Sequence, residues 1–187
     1  MATRFQDIRN VFLDRDGVIN RKPAEGEYIS DWRDFHPLPG VEEAIAALNR
    51  AGIRVILVSN QRGIALGRAT RNDIESIHNC LQQHLAGAGA HIDAFYYCPH
   101  DRNECDCRKP KTGLFEQAFR DFPDANRSTS LVIGDSLSDL QVAHTLGLSS
   151  ILIEGDPASR KPGWEQAVPL ADAVAPSLSD AVNRILA

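Results

Sequence analysis

The apolar residues of the chain fall either in short continuous runs or in longer stretches with helical spacing. Five runs predict strands, because each is apolar in its middle and ends in polar residues or glycine: VFLDRDG, IRVILVSN, IDAFYYC, SLVIGD and SSILIEG. Five stretches predict helices: PGVEEAIAALNRAG, TRNDIESIHNCLQQHLAGAG, GLFEQAFRDF, SDLQVAHTLGL and SLSDAVNRILA. Residues 20–38 are polar and carry proline, glycine and aromatic residues, which indicates a loop.

This alternation of strand and helix predicts a three-layer, Rossmann-like α/β sandwich. Strands that are apolar throughout must be covered on both faces, so we expect a parallel sheet with helices on each side. The 187 residues suit one domain spanning 1–187, and the connections between strands leave no room for a separate cap domain. In such sheets ligands bind at the carboxyl ends of the strands, near a topological switch point.

Polar side chains follow four of the predicted strands. They are Asp14-Arg15-Asp16-Gly17, Ser59-Asn60-Gln61, Arg108-Lys109, and Gly134-Asp135-Ser136 with Asp139 one helical turn further on. Taken singly, each could be a turn, a helix cap or a solvated surface charge. Together, in this order and at strand ends, they favour a site in which carboxylates hold Mg²⁺ while a lysine and a serine hold phosphoryl oxygens.

The stretch YCPHDRNECDCRKPK holds three of the four cysteines of the chain. Cys98, His100, Cys105 and Cys107 form a Cys₃His set, which is typical of a tetrahedral structural zinc site. A disulfide is the alternative, but it would leave one of the three cysteines over. Zinc bound by loop 98–107 would keep no open position for chemistry, so we expect it to position the neighbouring Arg108 and Lys109.

Composition narrows the range of partners. The net charge is −5 and the pI is about 5.6, which disfavours a general nucleic-acid or membrane-surface binder. The N-terminal MATRFQDIRNVF lacks the apolar core of a signal peptide, and no apolar run reaches the roughly 18 residues that span a bilayer. We therefore expect a cytoplasmic protein, in which disulfides are rare.

With all four strand-end motifs in place, the chain resembles the haloacid dehalogenase-like (HAD) hydrolase superfamily. The motifs are FLDRDGVIN, VSN, the lysine of CRKP, and GDSLSD, and the resemblance spans roughly residues 10–155. It implies that Asp14 is the nucleophile and Asp16 the general acid/base of a phosphatase. It also implies that Ser59 and Lys109 hold the transferring phosphoryl group.

The same resemblance implies a magnesium site. Asp135 would be a Mg²⁺ ligand together with Asp14 and the backbone carbonyl of Asp16. Asp139 would not bind the metal directly but would orient either a metal ligand or Lys109. A carboxylate nucleophile divides phosphoester hydrolysis into two easier steps through an aspartyl-phosphate. Mg²⁺ and the lysine would neutralise the charge that builds on the phosphoryl oxygens.

The combination of DRDGVIN with CPH and CDCRKP resembles a zinc-carrying, capless branch of this superfamily. That branch includes bacterial D-glycero-D-manno-heptose 1,7-bisphosphate 7-phosphatases and histidinol-phosphate phosphatases. The loop SNQRGIALGRAT is similar to the heptose type. Two features depart from that type: Ser136 stands where the heptose enzymes usually carry lysine, and the short zinc loop is closer to the histidinol-phosphate type.

Within this branch, the resemblance implies that Asn60, Gln61, Arg62 and Arg108 line the substrate. Arg62 and Arg68 could instead be solvated charges, although additional arginines would suit a second phosphate. The expectation is a monomer that acts on a small phosphorylated sugar. Histidinol-phosphate phosphatase, a non-catalytic zinc-stabilised binding module and a polynucleotide-end phosphatase are the alternatives, and the acidity of the chain counts against the last of these.

Overall fold

In the computed structural model, which describes residues 5–160 and 162–187, the strands form a six-stranded parallel sheet. The five predicted strands are confirmed, and a sixth, very short strand follows them. In chain order the strands are β1 (Asn10–Leu13), β2 (Arg54–Asn60), β3 (Ala94–Cys98), β4 (Ser130–Gly134), β5 (Ser149–Ile153) and β6 (Ala173–Ala175). Their order across the sheet is β3-β2-β1-β4-β5-β6.

Helices cover both faces of this sheet. They are α1 (Val41–Arg50), α2 (Arg71–Ala86), α3 (Gly113–Asp121), α4 (Leu137–Leu146), the single turn α5 (Trp164–Ala167) and α6 (Leu178–Leu186). Alternate residues of β1 point to opposite faces. Val11 and Leu13 pack with α1, α2 and α6, whereas Phe12 packs with α3 and α4. The predicted three-layer α/β architecture is therefore confirmed.

The sheet has a topological switch point at β1. Leu13 at the end of β1 lies opposite Leu57 of β2 on one side and Ile133 of β4 on the other. The chain therefore leaves β1 toward one half of the sheet and returns later to build the other half from β4 onward. A crevice opens where such a reversal occurs, at the carboxyl ends of the strands. The residues that follow β1 and β4 share that crevice.

Each of the first two connections between strands holds a single α-helix. Between β1 and β2 the described chain forms one 3₁₀ turn, Trp32–Asp34, and helix α1. Between β2 and β3 it forms α2, which begins with a capping box: the Thr70 hydroxyl accepts from the Asp73 amide at 3.1 Å, and the Asp73 carboxylate accepts from the Thr70 amide at 2.7 Å. No helix in the described part of the chain is long and apolar enough to cross a membrane.

Candidate active site

A buried ion-pair network lies at the switch point. The Asp14 amide continues the sheet by donating to the Ile133 carbonyl at 3.0 Å, which places the Asp14 carboxylate directly beyond β1. The Lys109 ammonium lies 2.8 Å from Asp14 Oδ1 and 2.6 Å from Asp139 Oδ1, and it donates to the Val58 carbonyl at 2.7 Å. Burial alone would lower the pKa of Lys109, but the charges of Asp139 and Asp14 outweigh it and raise that pKa.

The N-terminus of α4 supplies the next carboxylates. Ser136 and Asp139 form a capping box, in which the Ser136 hydroxyl and amide donate to Asp139 Oδ2 at 2.5 and 3.2 Å. Asp139 therefore uses one oxygen to cap the helix and the other to hold Lys109. Gly134 makes this possible, because a Cβ at that position would overlap the Asp139 side chain. Asp135, between them, is buried and belongs to the same cluster.

The acidic cluster has the composition of a site for a hard divalent cation. One carboxylate oxygen each from Asp14, Asp135 and Asp139 lies within 4.8 Å of the others. The backbone of Gly17, at φ +97°, passes so close to Asp135 Oδ2 that any Cβ there would overlap it. Oxygen ligands converging at this spacing suit Mg²⁺, which binds few carboxylates and keeps several waters.

Lys22, which the sequence did not single out, also reaches this cluster. Its ammonium forms an ion pair with Asp135 Oδ2 and lies 3.2 Å from the carbonyl oxygen of Ser159. The side chain is 12% exposed, so the pair is partly desolvated. A polar loop residue has no strand or helix pattern to indicate its partner, and only the fold brings loop 20–38 over the end of β4.

Asp16 is held by three donors. The Arg15 guanidinium binds its carboxylate at 3.0–3.2 Å, the Asn20 amide donates at 2.9 Å and the Gln61 amide donates at 3.2 Å. Arg15 is 1% exposed and lies over the Phe35 ring, 5.8 Å from its centroid. The sequence presents Arg15 only as part of the DRDG motif, yet among the described residues it is the largest fully buried side chain, and it holds the Asp16 carboxylate.

The last two residues of β2, and Gln61 after them, connect this edge to the loop that carries Lys109. Asn60 makes two hydrogen bonds to the backbone of Lys109: its side-chain oxygen accepts from the amide at 3.0 Å, and its side-chain nitrogen donates to the carbonyl at 3.1 Å. Gln61 donates to the buried Ser59 hydroxyl at 2.7 Å. Ser59, Asn60 and Gln61 thus lie together with Lys109 and Asp16, as the strand ends predicted.

The two arginines predicted to line the substrate differ in the partners that their guanidinium groups contact. Arg62 forms a two-point ion pair with Asp101, which raises the pKa of Arg62. Arg108 Nη1 lies 3.5 Å from the carbonyl oxygen of His100, a long hydrogen bond that leaves most of its donors available. Arg62 is therefore neutralised within the protein, whereas Arg108 has no carboxylate partner among the described residues.

The four predicted zinc ligands converge. The sulfur atoms of Cys98, Cys105 and Cys107 lie 3.2–3.5 Å apart, and His100 Nδ1 lies 3.7 Å from Cys98 Sγ and 3.3 Å from Cys107 Sγ. A tetrahedron with zinc–sulfur bonds of about 2.3 Å has edges of roughly 3.8 Å, so this set approaches that shape. All three thiols are free, in contrast to the disulfide alternative. The cluster could hold a metal ion.

Comparison with known proteins agrees with this geometry. The HAD-hydrolase-like family model matches residues 106–181. The chain is 43% identical over 141 residues to the D-glycero-α-D-manno-heptose-1,7-bisphosphate 7-phosphatase of Mycobacterium bovis, covering 75% of this chain and 74% of that one. It is 39% identical over 185 residues to the D-glycero-β-D-manno-heptose-1,7-bisphosphate 7-phosphatase of Vibrio cholerae, covering 94% and 95%. The chain belongs to the heptose-1,7-bisphosphate 7-phosphatase family of HAD-like hydrolases.

A solved structure of the same family supports the assignment. The D,D-heptose 1,7-bisphosphate phosphatase of B. bronchiseptica, complexed with magnesium and phosphate, superposes with a TM-score of 0.83 at 29% identity. The match covers 96% of this chain and 98% of that one. Membership of the family makes phosphomonoester hydrolysis the reaction class, and the superfamily that the motifs indicated is confirmed.

Proposed function

We propose that this protein removes the 7-phosphate of D-glycero-D-manno-heptose 1,7-bisphosphate in a Mg²⁺-dependent reaction that passes through an aspartyl-phosphate on Asp14. The observation that carries the proposal is the buried cluster of Asp14, Lys109, Asp135 and Asp139 at the switch point. Relatives named for this activity span most of the chain at 34–43% identity, which supports the choice of substrate.

In the first half-reaction an oxygen of Asp14 attacks phosphorus, and the bond from phosphorus to the C7 oxygen of the sugar breaks. Asp16, oriented by Arg15 and Gln61, gives its proton to the departing oxygen. Lys109 and Ser59 donate to the phosphoryl oxygens, and Lys109 lies close enough to Asp14 to contact both nucleophile and phosphoryl group. The released product is heptose 1-phosphate.

In the second half-reaction Asp16, now a carboxylate, takes a proton from water. The water oxygen bonds to phosphorus, the bond from phosphorus to Asp14 breaks, and inorganic phosphate leaves. Asp14, Asp135 and the backbone carbonyl of Asp16 would hold the Mg²⁺, which supplies positive charge against the phosphoryl oxygens. Asp139 does not need to contact the metal, because its two oxygens hold Lys109 and cap α4.

The Cys₃His cluster has a mechanical role in this proposal. Cys98, His100, Cys105 and Cys107 would hold one structural Zn²⁺, which closes loop 98–107 into a rigid unit. Lys109 follows the last ligand by two residues, so the zinc holds its backbone in place. The proposal includes a single domain without a cap, a monomeric state and a cytoplasmic location, with a small phosphorylated sugar as partner rather than nucleic acid or membrane.

The experiment is a comparison of substrates and of phosphoenzyme. Wild type and Asp14→Asn are assayed with Mg²⁺ on both anomers of the heptose bisphosphate and on histidinol phosphate, and phosphate bound to protein is measured after acid quenching. We expect turnover and acid-stable label in wild type and neither in Asp14→Asn, checked by mass for deamidation. Asp124→Asn, a carboxylate on the exposed surface, is the control. Preference for histidinol phosphate would refute the substrate, and ordinary turnover by Asp14→Asn would refute the nucleophile.

A further inference from the structure

His78 is a buried polar side chain that has no part in the reaction steps described above. It lies on the buried face of α2, is 5% exposed, and its ring stacks on that of Phe95 with the two centroids 4.7 Å apart. Its Nε2 atom has no hydrogen-bond partner among residues 5–160 and 162–187. A buried polar atom without a partner costs free energy, so its retention in this layer requires a physical reason.

Strand β1 directs Arg15 into the layer that holds His78. Side chains alternate along a strand, so Arg15 follows Val11 and Leu13 onto the face of the sheet that α2 covers. Its guanidinium lies over the ring of Phe35, which belongs to the apolar cluster on that face. Burial, and then the charge of Arg15, lower the pKa of His78 to about 3, which agrees with the closeness of the two side chains.

His78 also lies behind the strand end that carries Gln61. Its ring meets that of Tyr97 edge to face, with the centroids 5.8 Å apart. Tyr97 is the partner of Ser59 in the register of β2 and β3. Gln61 donates to the Ser59 hydroxyl at 2.7 Å and to the Asp16 carboxylate at 3.2 Å. The imidazole is therefore separated from the catalytic edge by a single layer of side chains.

Two of the side chains that hold Asp16 also carry a buried polar atom without a partner in the described part of the chain. Arg15 binds the Asp16 carboxylate through Nε and Nη2, and the atom left over is Nη1. Asn20 donates to that carboxylate from its amide nitrogen, and the atom left over is Oδ1. Nη1 can only donate and Oδ1 can only accept, whereas Nε2 of His78 accepts when the neutral ring carries its proton on Nδ1. One buried water satisfies all three atoms, because it accepts one hydrogen bond and donates two.

We propose that His78 is a positioning residue for Asp16, acting through one buried water that accepts from Arg15 Nη1 and donates to Asn20 Oδ1 and His78 Nε2. The ring stays neutral, because an imidazolium would face the guanidinium across that water. The water fixes the plane of the guanidinium and the amide, and these two groups fix the direction in which Asp16 presents its proton. The inference rests on the proposed function, in which Asp16 is the general acid.

The test varies the leaving group of the substrate. Heptose 1,7-bisphosphate releases an alkoxide that needs the proton of Asp16, whereas p-nitrophenyl phosphate releases a phenolate that leaves without one. His78→Phe keeps the ring that stacks on Phe95 but removes Nε2. We expect kcat/KM for the sugar to fall about 10-fold or more, since misplacing a catalytic group costs rate steeply, while kcat/KM for the aryl ester stays close to that of wild type.

Two further variants at His78 separate its hydrogen bond from its packing. The amide of His78→Gln reaches the position of Nε2, whereas the amide of His78→Asn reaches only that of Nδ1. Glutamine should therefore restore kcat/KM for the sugar and asparagine should not, a comparison that needs only the sugar substrate. Ile77→Val is the control, because it removes a methyl group from a buried position of the same helix. It should lower the unfolding temperature and leave the ratio of the two kcat/KM values unchanged.

An equal fall for both substrates in His78→Phe would overturn the proposal, because His78 would then contribute to packing alone. A glutamine variant no faster than the asparagine variant would also overturn it. If wild type does not hydrolyse the bisphosphate, the proposed function fails instead, and a high-resolution crystal structure judges the inference separately. A water within hydrogen-bond distance of Arg15 Nη1, Asn20 Oδ1 and His78 Nε2 supports it, and a structure in which no water bridges these atoms refutes it.

Discussion

Replacing Lys109 by methionine removes the positive charge at the centre of the cluster while keeping much of the side-chain length. The Lys109 side chain is 3% exposed, and its ammonium holds Asp14 at 2.8 Å, Asp139 at 2.6 Å and the Val58 carbonyl at 2.7 Å. After the change, two buried carboxylates face each other without that charge between them. We expect the variant to turn over much more slowly and to be markedly less stable.

The magnitude follows from the burial of the pair. Removing one partner of a buried ion pair costs about 3–5 kcal/mol, because the remaining charge stays desolvated. For a protein of about 150–250 residues, each kcal/mol lowers Tm by about 2–4 °C, so the fall should be roughly 6–20 °C. Loss of one preorganised donor to the transition state should lower kcat by about 10²–10³-fold.

The assay is urea unfolding and thermal melting of zinc-loaded protein, with and without Mg²⁺. Added Mg²⁺ should stabilise the variant more than wild type, because a divalent cation compensates the carboxylates that lost the lysine. Arg50→Met is the control, since Arg50 is an exposed cation at the end of α1 and its loss should change stability by less than about 0.5 kcal/mol. A Lys109→Met protein that unfolds at the wild-type urea concentration would refute the reasoning.

Three further predictions concern the surroundings of the site. Cys107→Ser should lose zinc, measured by elemental analysis, and should unfold at lower temperature, since metal binding contributes folding free energy; zinc retained at one ion per chain would contradict this. Gly17→Ala should weaken Mg²⁺ binding in calorimetry, because a Cβ at φ +97° overlaps Asp135; wild-type affinity would contradict it. Burial and the charge of Arg15 lower the pKa of His78 to about 3. The unfolded chain therefore binds an additional proton between about pH 6.5 and 3, and acid destabilises the fold in that range; His78→Phe should flatten the slope of unfolding free energy against pH, and an unchanged slope would rule His78 out as its source.

The arrangement of the site followed from strand ends, because long apolar runs mark buried strands and parallel strands end on one edge. Asp14, Ser59 and Asp135 were placed together on that basis, and the structure brings them there. Strand β6 escaped prediction because its three residues, Ala173–Ala175, are too few to show a period. It joins the sheet by pairing with β5, which is a property of the fold and not of its own sequence.

The cations around the site were harder to predict than the acids. A buried guanidinium such as that of Arg15 contradicts the usual exposure of arginine, and nothing local indicates that it holds Asp16. Lys22 and Arg68 lie in polar loops, where neither periodicity nor capping constrains a side chain. Arg62 differs from these cations, because it was expected to bind substrate and instead pairs with Asp101. Only the folded loops bring that carboxylate close to it.

The amide of Asn60 changes how the protein should respond to scarcity of zinc. Two sets of contacts hold the loop that carries Lys109: the Cys₃His cluster and the two hydrogen bonds from Asn60. Removing zinc affects the cluster but leaves the Asn60 hydrogen bonds in place. A molecule without zinc keeps its lysine partly aligned. Zinc-depleted enzyme should therefore keep a measurable fraction of its activity, and that fraction should fall when Asn60 is replaced as well.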